Sequence, residues 1–341
     1  MSTPQVLLTG GTGHIGFRTL REALEQGYTV RAVVRSSEKA ESIRNNPALK
    51  HITGLDSKLS FVVIPDLLAP DAFDEPLNGI EYIIHIASPL IGTVSGDLEE
   101  GFVKPAVQGT LSVLNSAKKV GGVKKVVITS SAVAIVPTGV LVGLQKGDKI
   151  YTADDRANDI PAPFANDRVA YVASKIAALK AAEAWVEKEK PDFELIHIHP
   201  SYVGGRNDQT RSLGDFVYGT NGYFLSTVLG QSSTEPRLAT YVHVDDVAKA
   251  HVGSLSPSIT GNQSFILSNA GGEATWDDAK NIVASHFPNA VKEGLLPNNG
   301  SQPGGVVKID IKKTEDAFGK LKGFETIIVS IAEHYLELRQ N

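Results

Sequence analysis

Tyr171 and Lys175 stand four residues apart in the run YVASK, a spacing that puts both side chains on one face of a helix. A phenol with a pKa of about 10 is a poor acid-base group at neutral pH, and a nearby ammonium favours its ionised form. Lys175 is therefore expected to tune Tyr171 for proton transfer. By itself the pair is a weak signal, because nine tyrosines give many chances for a lysine four places on, and an exposed helix face explains it as well. The apolar run KVVITSS strengthens it. If that run is a buried strand, Ser130 and Ser131 sit at the carboxyl edge of a sheet, where open α/β folds bind ligands.

A second constellation points to binding. TGGTGHIG supplies Gly10, Gly13 and Gly16 between an apolar run and an amphipathic stretch, where backbone must approach a pyrophosphate at a helix N-terminus. A tight turn that binds nothing is the alternative, and the strand-then-helix context argues against it. The next apolar run ends in Val33, Val34, Arg35 and Ser36. An acidic residue there would hold a ribose 2′-hydroxyl, whereas the planar fork of Arg35 suits a 2′-phosphate, with Ser36 and Ser37 adding hydroxyl donors. NADP(H) is expected over NAD(H), with Glu38 counting against it. Asp66, in VVIPDL, is placed to meet an adenine amino group or to cap a helix.

These groups need a scaffold, and the first two hundred residues supply alternating apolar runs and amphipathic stretches. Strands are expected at 5–9, 29–34, 59–65, 81–86, 124–130 and 194–199, and helices at 15–26, 98–120 and 168–188. The fold class is α/β, a Rossmann-type doubly wound parallel sheet with a smaller, discontinuous C-terminal lobe. The cofactor domain is assigned to 1–200 and 238–269. The substrate lobe takes 201–237 and 270–341, where polar, turn-rich sequence prevails before a closing amphipathic helix. YVHVDDVAKAH reads as a strand and helix, with Asp245 and Asp246 as caps.

The bulk properties narrow the field. The chain has 341 residues, 42% hydrophobic and 21% charged, which is ordinary for a globular protein. Its net charge of -5 and scattered basic residues argue against nucleic acid. The absence of cysteine excludes thiolate nucleophiles and thiolate zinc sites. His197 and His199 alternate on one expected strand without a neighbouring carboxylate, so packing is preferred to metal ligation and no metal is expected. The uncharged run from Val126 to Gln145 is near membrane-spanning length, but its serines, threonines, glycines and Pro137 fit a strand followed by an apolar loop. No leader pattern precedes the first strand, so a cytoplasmic location is expected, as a monomer or homodimer.

The motifs TGGTGHIG, VVRSSEKAE, HIASP, PAVQGT, VVITSSAV, YVASK, HPSYVGG and YVHVDDVAKAH together resemble the extended short-chain dehydrogenase/reductase family. The likeness is greatest to its dihydroflavonol reductase branch and to NADPH-dependent methylglyoxal, aldehyde and ketone reductases, and it covers the first 250 residues or so. The resemblance implies that Ser131, rather than Ser130, hydrogen-bonds a substrate carbonyl. It implies that Tyr171 donates the proton and that Lys175 also holds the nicotinamide ribose. The expected cofactor contacts extend through His14, Ile15, Lys39 and Leu67 to Ala87, Ser88, Pro89, Pro200 and Val203. His199 stands where the family commonly has Asn before Pro200, which puts the local backbone contacts in doubt.

Substrate contacts are expected from Ala132, Val133, Phe164 and Tyr202, with Phe216 and Tyr223 as weaker choices. The uncharged run after Ser131 should form an apolar wall, so an apolar or aromatic carbonyl compound is the expected substrate. A sugar-nucleotide epimerase or a hydroxysteroid dehydrogenase is the alternative, and a non-catalytic NADP sensor ranks third. A dehydratase would need further acid-base groups near the serine, where Ala132 to Val136 offer only hydrocarbon.

Overall fold

The computed structural model describes residues 4–92, 94, 96–141, 149–217, 219–268, 274–305 and 307–340. Its centre is a seven-stranded sheet. The strands are β1 (Gln5–Thr9), β2 (Thr29–Val34), β3 (Leu59–Val63), β4 (Tyr82–His85), β5 (Lys125–Thr129), β6 (Glu194–Pro200) and, beyond a short pair, β9 (Gln263–Leu267). Their spatial order is β3-β2-β1-β4-β5-β6-β9, and every neighbouring pair is parallel. The order reverses between β1 and β4, so the carboxyl ends of these two strands open a crevice. β7 (Tyr202–Gly204) and β8 (Tyr241–His243) form a separate parallel pair.

The six strands expected from apolar runs are present. β3 stops at Val63, two places before the expected Pro65, which lacks the N–H a further ladder bond would need. Within the uncharged run, β5 is followed by a 3-10 turn at Ala132–Ala134 and a short helix at Thr138–Leu141; residues 142–145 lie outside the described residues. So does Ala270, at the start of the lobe's second expected part. Among the described residues, no helix is long and apolar enough to cross a membrane.

Helices cover both faces. In the His14–Glu25 helix, Phe17, Leu20 and Leu24 recur at helical spacing and are buried against one face with Val247 and Val252. Helix Lys104–Val120 buries Val113 and Leu114 against the other face, together with Ala182 and Trp185 of helix Asp167–Glu189. A third cluster gathers Phe216, Phe224, Tyr241, Trp276, Phe324 and Ile331 away from the sheet. Helix Val244–Gly253 departs from expectation at its start. His243 is the cap, its Nδ1 accepting from the Asp245 N–H at 3.1 Å, while Asp246 accepts from the Lys322 N–H. Asp245 instead forms ion pairs with Arg18, at 2.7 Å, and with Lys322.

Candidate active site

The glycine turn links β1 to the His14–Glu25 helix through very close backbone contacts. Gly10 has φ +79°, and a Cβ there would meet the Ala87 nitrogen at 2.8 Å. A Cβ on Gly16 would lie 1.9 Å from the Gly10 carbonyl oxygen, so neither position tolerates a side chain. Gly13 is the helix N-cap and donates its N–H to Gly10. Thr9 secures the neighbouring strand end: its hydroxyl oxygen accepts from the N–H groups of Ile86 and Ala87, both at 3.1 Å, and lies 3.0 Å from His85 Nδ1. His14 turns toward Gly205 and Arg206, and burial lowers its pKa to about 4. Its imidazole is therefore neutral.

Beside this turn lies a cavity of about 350 Å³. Of the expected cofactor contacts, Arg35, Asp66, Leu67, Ala87, Ser88, Pro89 and Lys175 line it. Lys39, Pro200 and Val203 do not, and neither do the glycine turn and Tyr171. Lys39 is exposed on helix Ser37–Arg44, and Val203 is buried in β7. Glu38, the residue that counted against a phosphate at Arg35, is bound to Ser36. Asp66 Oδ1 accepts from the Leu68 N–H at 2.9 Å, closing a turn at the cavity rim.

Tyr171, Ser131 and Lys175 lie together beside this cavity, and of the three only Lys175 lines it. Asn166 caps helix Asp167–Glu189 through a bond from the Val169 N–H, and the helix carries Tyr171 and Lys175 on one face. Lys175 is 7% exposed; its Nζ donates to Ser88 Oγ at 3.0 Å and lies 5.6 Å from the Tyr171 ring centre. Burial pushes the Tyr171 phenol up to about 12, against a hydrogen bond with Ser131 that pulls it down. Burial also lowers Lys175 to about 8. Desolvation is the largest cause of both shifts and favours the neutral form of each group, opposite to the lowering of the phenol expected from Lys175. Ser131 caps the 3-10 turn through Val133, and Ser130 has a buried, unpartnered hydroxyl in the cavity wall.

The outer groups divide. Val133 packs with Tyr171 around the buried Ala132. Tyr202 raises the Tyr171 pKa by its proximity and stacks edge-on against Tyr223, centres 5.7 Å apart. Phe216 is core, packed on Tyr335, and Phe164 is half-buried in the segment before Asn166. His197 and His199 stack at 6.0 Å, and burial holds the former near pKa 3. Sequence reasoning missed Thr9, His85 and the cavity face of His197, since the register that brings Thr9 beside His85 is a property of the assembled sheet.

The profile of a family described as NAD dependent epimerase/dehydratase matches residues 6–262. The chain belongs to that family. Within the epimerase/dehydratase family, it is 39% identical to ketoreductase CTB6 of Cercospora nicotianae over 345 residues, covering 99% of this chain and 96% of the relative. It is 29% identical to the putative NADPH-dependent methylglyoxal reductase GRP2 of Candida albicans, with 96% and 95% covered. Among solved structures, yeast methylglyoxal/isovaleraldehyde reductase Gre2 complexed with NADPH superposes with a TM-score of 0.79 at 26% identity, over 98% and 99% of the two chains.

Proposed function

We propose that this protein is an NADP(H)-dependent reductase that converts an apolar or aromatic aldehyde or ketone to the alcohol. The observation that carries the reading is the meeting of Tyr171 with Ser131, and of Lys175 with Ser88, where Lys175, Ser88 and Arg35 line one cavity. Relatives with reductase names support it. The dinucleotide fits. A side chain at Gly10 or Gly16 would collide with backbone, which leaves bare amide surface beside the helix N-terminus for a pyrophosphate. Arg35 has no carboxylate partner among the described residues and can pair with a 2′-phosphate.

Bound NADPH supplies the hydride. Ser131 donates a hydrogen bond to the carbonyl oxygen and so orients it toward Tyr171. With a pKa of about 12, Tyr171 stays protonated at neutral pH and can donate to the developing alkoxide, a stronger base. Lys175 stabilises the resulting phenolate and reaches the ribose hydroxyls. Ala132, Val133 and Tyr202 form the apolar wall, and the lobe of residues 201–237 and 270–341 closes the site over the cofactor domain.

An epimerase would need a place for a nucleotide diphosphate. Of Arg206 and Arg211, the two basic residues that could serve, Arg206 is already paired with Asp208 at 2.9 Å and Glu337 at 2.6 Å. The test is NADPH absorbance loss against aldehydes, diketones, ketoesters and flavanonols, alongside an assay of sugar-nucleotide isomerisation. Turnover of a carbonyl compound is expected, and sugar-nucleotide turnover without carbonyl reduction would overturn the reading.

A further inference from the structure

A line of aromatic side chains runs outward from the proton donor and ends on a positive charge. Tyr202 lies within electrostatic reach of Tyr171, and its ring meets Tyr223 at 5.7 Å. The guanidinium of Arg237 lies over the Tyr223 face, 4.5 Å from the ring centre. The next residue, Leu238, packs in the same apolar cluster as Tyr171 and Val133 and donates its N–H to Leu141. Two independent contacts therefore hold the Arg237 segment against the catalytic region. The arginine is half-buried, yet among the described residues its side chain has no carboxylate partner. Stacking on Tyr223 engages only the flat face of the guanidinium and leaves its N–H edge for an acceptor.

We infer that Arg237 is a specificity-determining residue that binds a carboxylate at the far end of an extended aromatic ketone substrate. The inference rests on the carbonyl-reductase reading and narrows its substrate class. An aryl ketone can place its carbonyl at Tyr171 and its ring along Tyr202 and Tyr223. A carboxylate across the ring then meets a planar fork of matching geometry. Short aliphatic acids cannot span the two tyrosines, and neutral aromatic ketones leave the partly desolvated cation unpaired.

The probes are para-acetylbenzoate, the longer acetylbiphenyl carboxylate and the methyl ester of each. In the wild type, kcat/KM for at least one acid should exceed that for its ester about tenfold, as one charge-assisted hydrogen bond predicts. Arg237→Gln should collapse this ratio toward unity, and Arg237→Lys should retain part of it. Because the ratio is measured within one protein, partial misfolding of a variant does not disturb it. Fluorescence titration of each acid and ester into the NADP⁺ complex reads binding apart from turnover. Acid binding that depends on Arg237 but gives no reduction upholds the anion site and sinks the reductase reading. Equal binding of acid and ester in the wild type, or an acid preference that survives in Arg237→Gln, overturns the inference.

Discussion

Lys175 donates to the Ser88 hydroxyl at 3.0 Å, a bond that joins helix Asp167–Glu189 to the segment after β4 across 87 residues of sequence. This neutral partner leaves the ammonium poorly compensated, and its pKa falls from an ordinary 10.5 to about 8. Below pH 8 the native protein holds a charge that its surroundings disfavour. The unfolded chain binds more protons than the native one between about 8 and 10.5, so stability rises with pH across that window. Lys175→Met should stabilise the native state at pH 7, by about 1–3 kcal/mol at most, and flatten this rise while abolishing turnover. Thermal unfolding from pH 7 to 10.5 checks it, and an unchanged slope in the variant counts against the assignment.

The same titration governs activity. Since kcat/KM reports groups of the free enzyme, it should fall as pH rises through about 8, where Lys175 loses its charge. Tyr171, pushed up to about 12, stays protonated through this range and contributes no limb. Initial rates with subsaturating NADPH and saturating carbonyl substrate give the profile for the free enzyme. A plateau extending to pH 10 contradicts it.

Tyr171→Phe removes one oxygen and should lower turnover by about 10² to 10⁴ with NADPH affinity retained, because a positioned acid contributes about that factor. Ser131→Ala should also lower turnover, but it additionally removes the acceptor for the Val133 N–H. Steady-state rates and cofactor titration separate the two effects. Full activity in a folded Tyr171→Phe variant would show that another group is the donor.

Arg35→Ala should weaken NADPH binding by about 10- to 100-fold and barely change NADH binding, the size expected for a charge-assisted contact of about 1.5–3 kcal/mol. Direct fluorescence titration of both cofactors reads it. Equal affinities in the unaltered protein would remove the case for a 2′-phosphate site.

Gly16→Ala should be severe for a different reason. Its methyl would sit 1.9 Å from the Gly10 carbonyl oxygen, and backbone cannot yield as a side chain does. A loss of about 1–3 kcal/mol or more is expected from such overpacking, with cofactor binding lost as well. Unfolding midpoints with and without NADPH measure it; a variant still stabilised by NADPH would show that the turn can relax.

The parallel sheet was legible because strands buried on both faces read as continuous apolar runs, as Val126 to Ile128 do in β5. The close backbone approach at Gly10 and Gly16, and the placing of Arg35 and Lys175 at one cavity, were legible because they follow from local spacing on their strands and helices. Groups that meet through tertiary register were not. His85 reaches Thr9 across two paired strands, and Arg237 reaches Tyr223 from an adjacent, otherwise polar segment. Nor did composition foretell the direction of the Tyr171 and Lys175 pKa values, since spacing fixes which groups are neighbours while burial decides which ionisation state they prefer.

The bridge from Arg18 through Asp245 to Lys322 bears on the order in which the molecule matures. The helix carrying the glycine turn is made long before Lys322, which is one of its braces. A nascent polypeptide that has not passed Lys322 lacks this clamp behind its nucleotide turn. Protection of the His14–Glu25 helix from proteolysis by NADPH should therefore be greater in chains that extend beyond that lysine than in chains that stop before it.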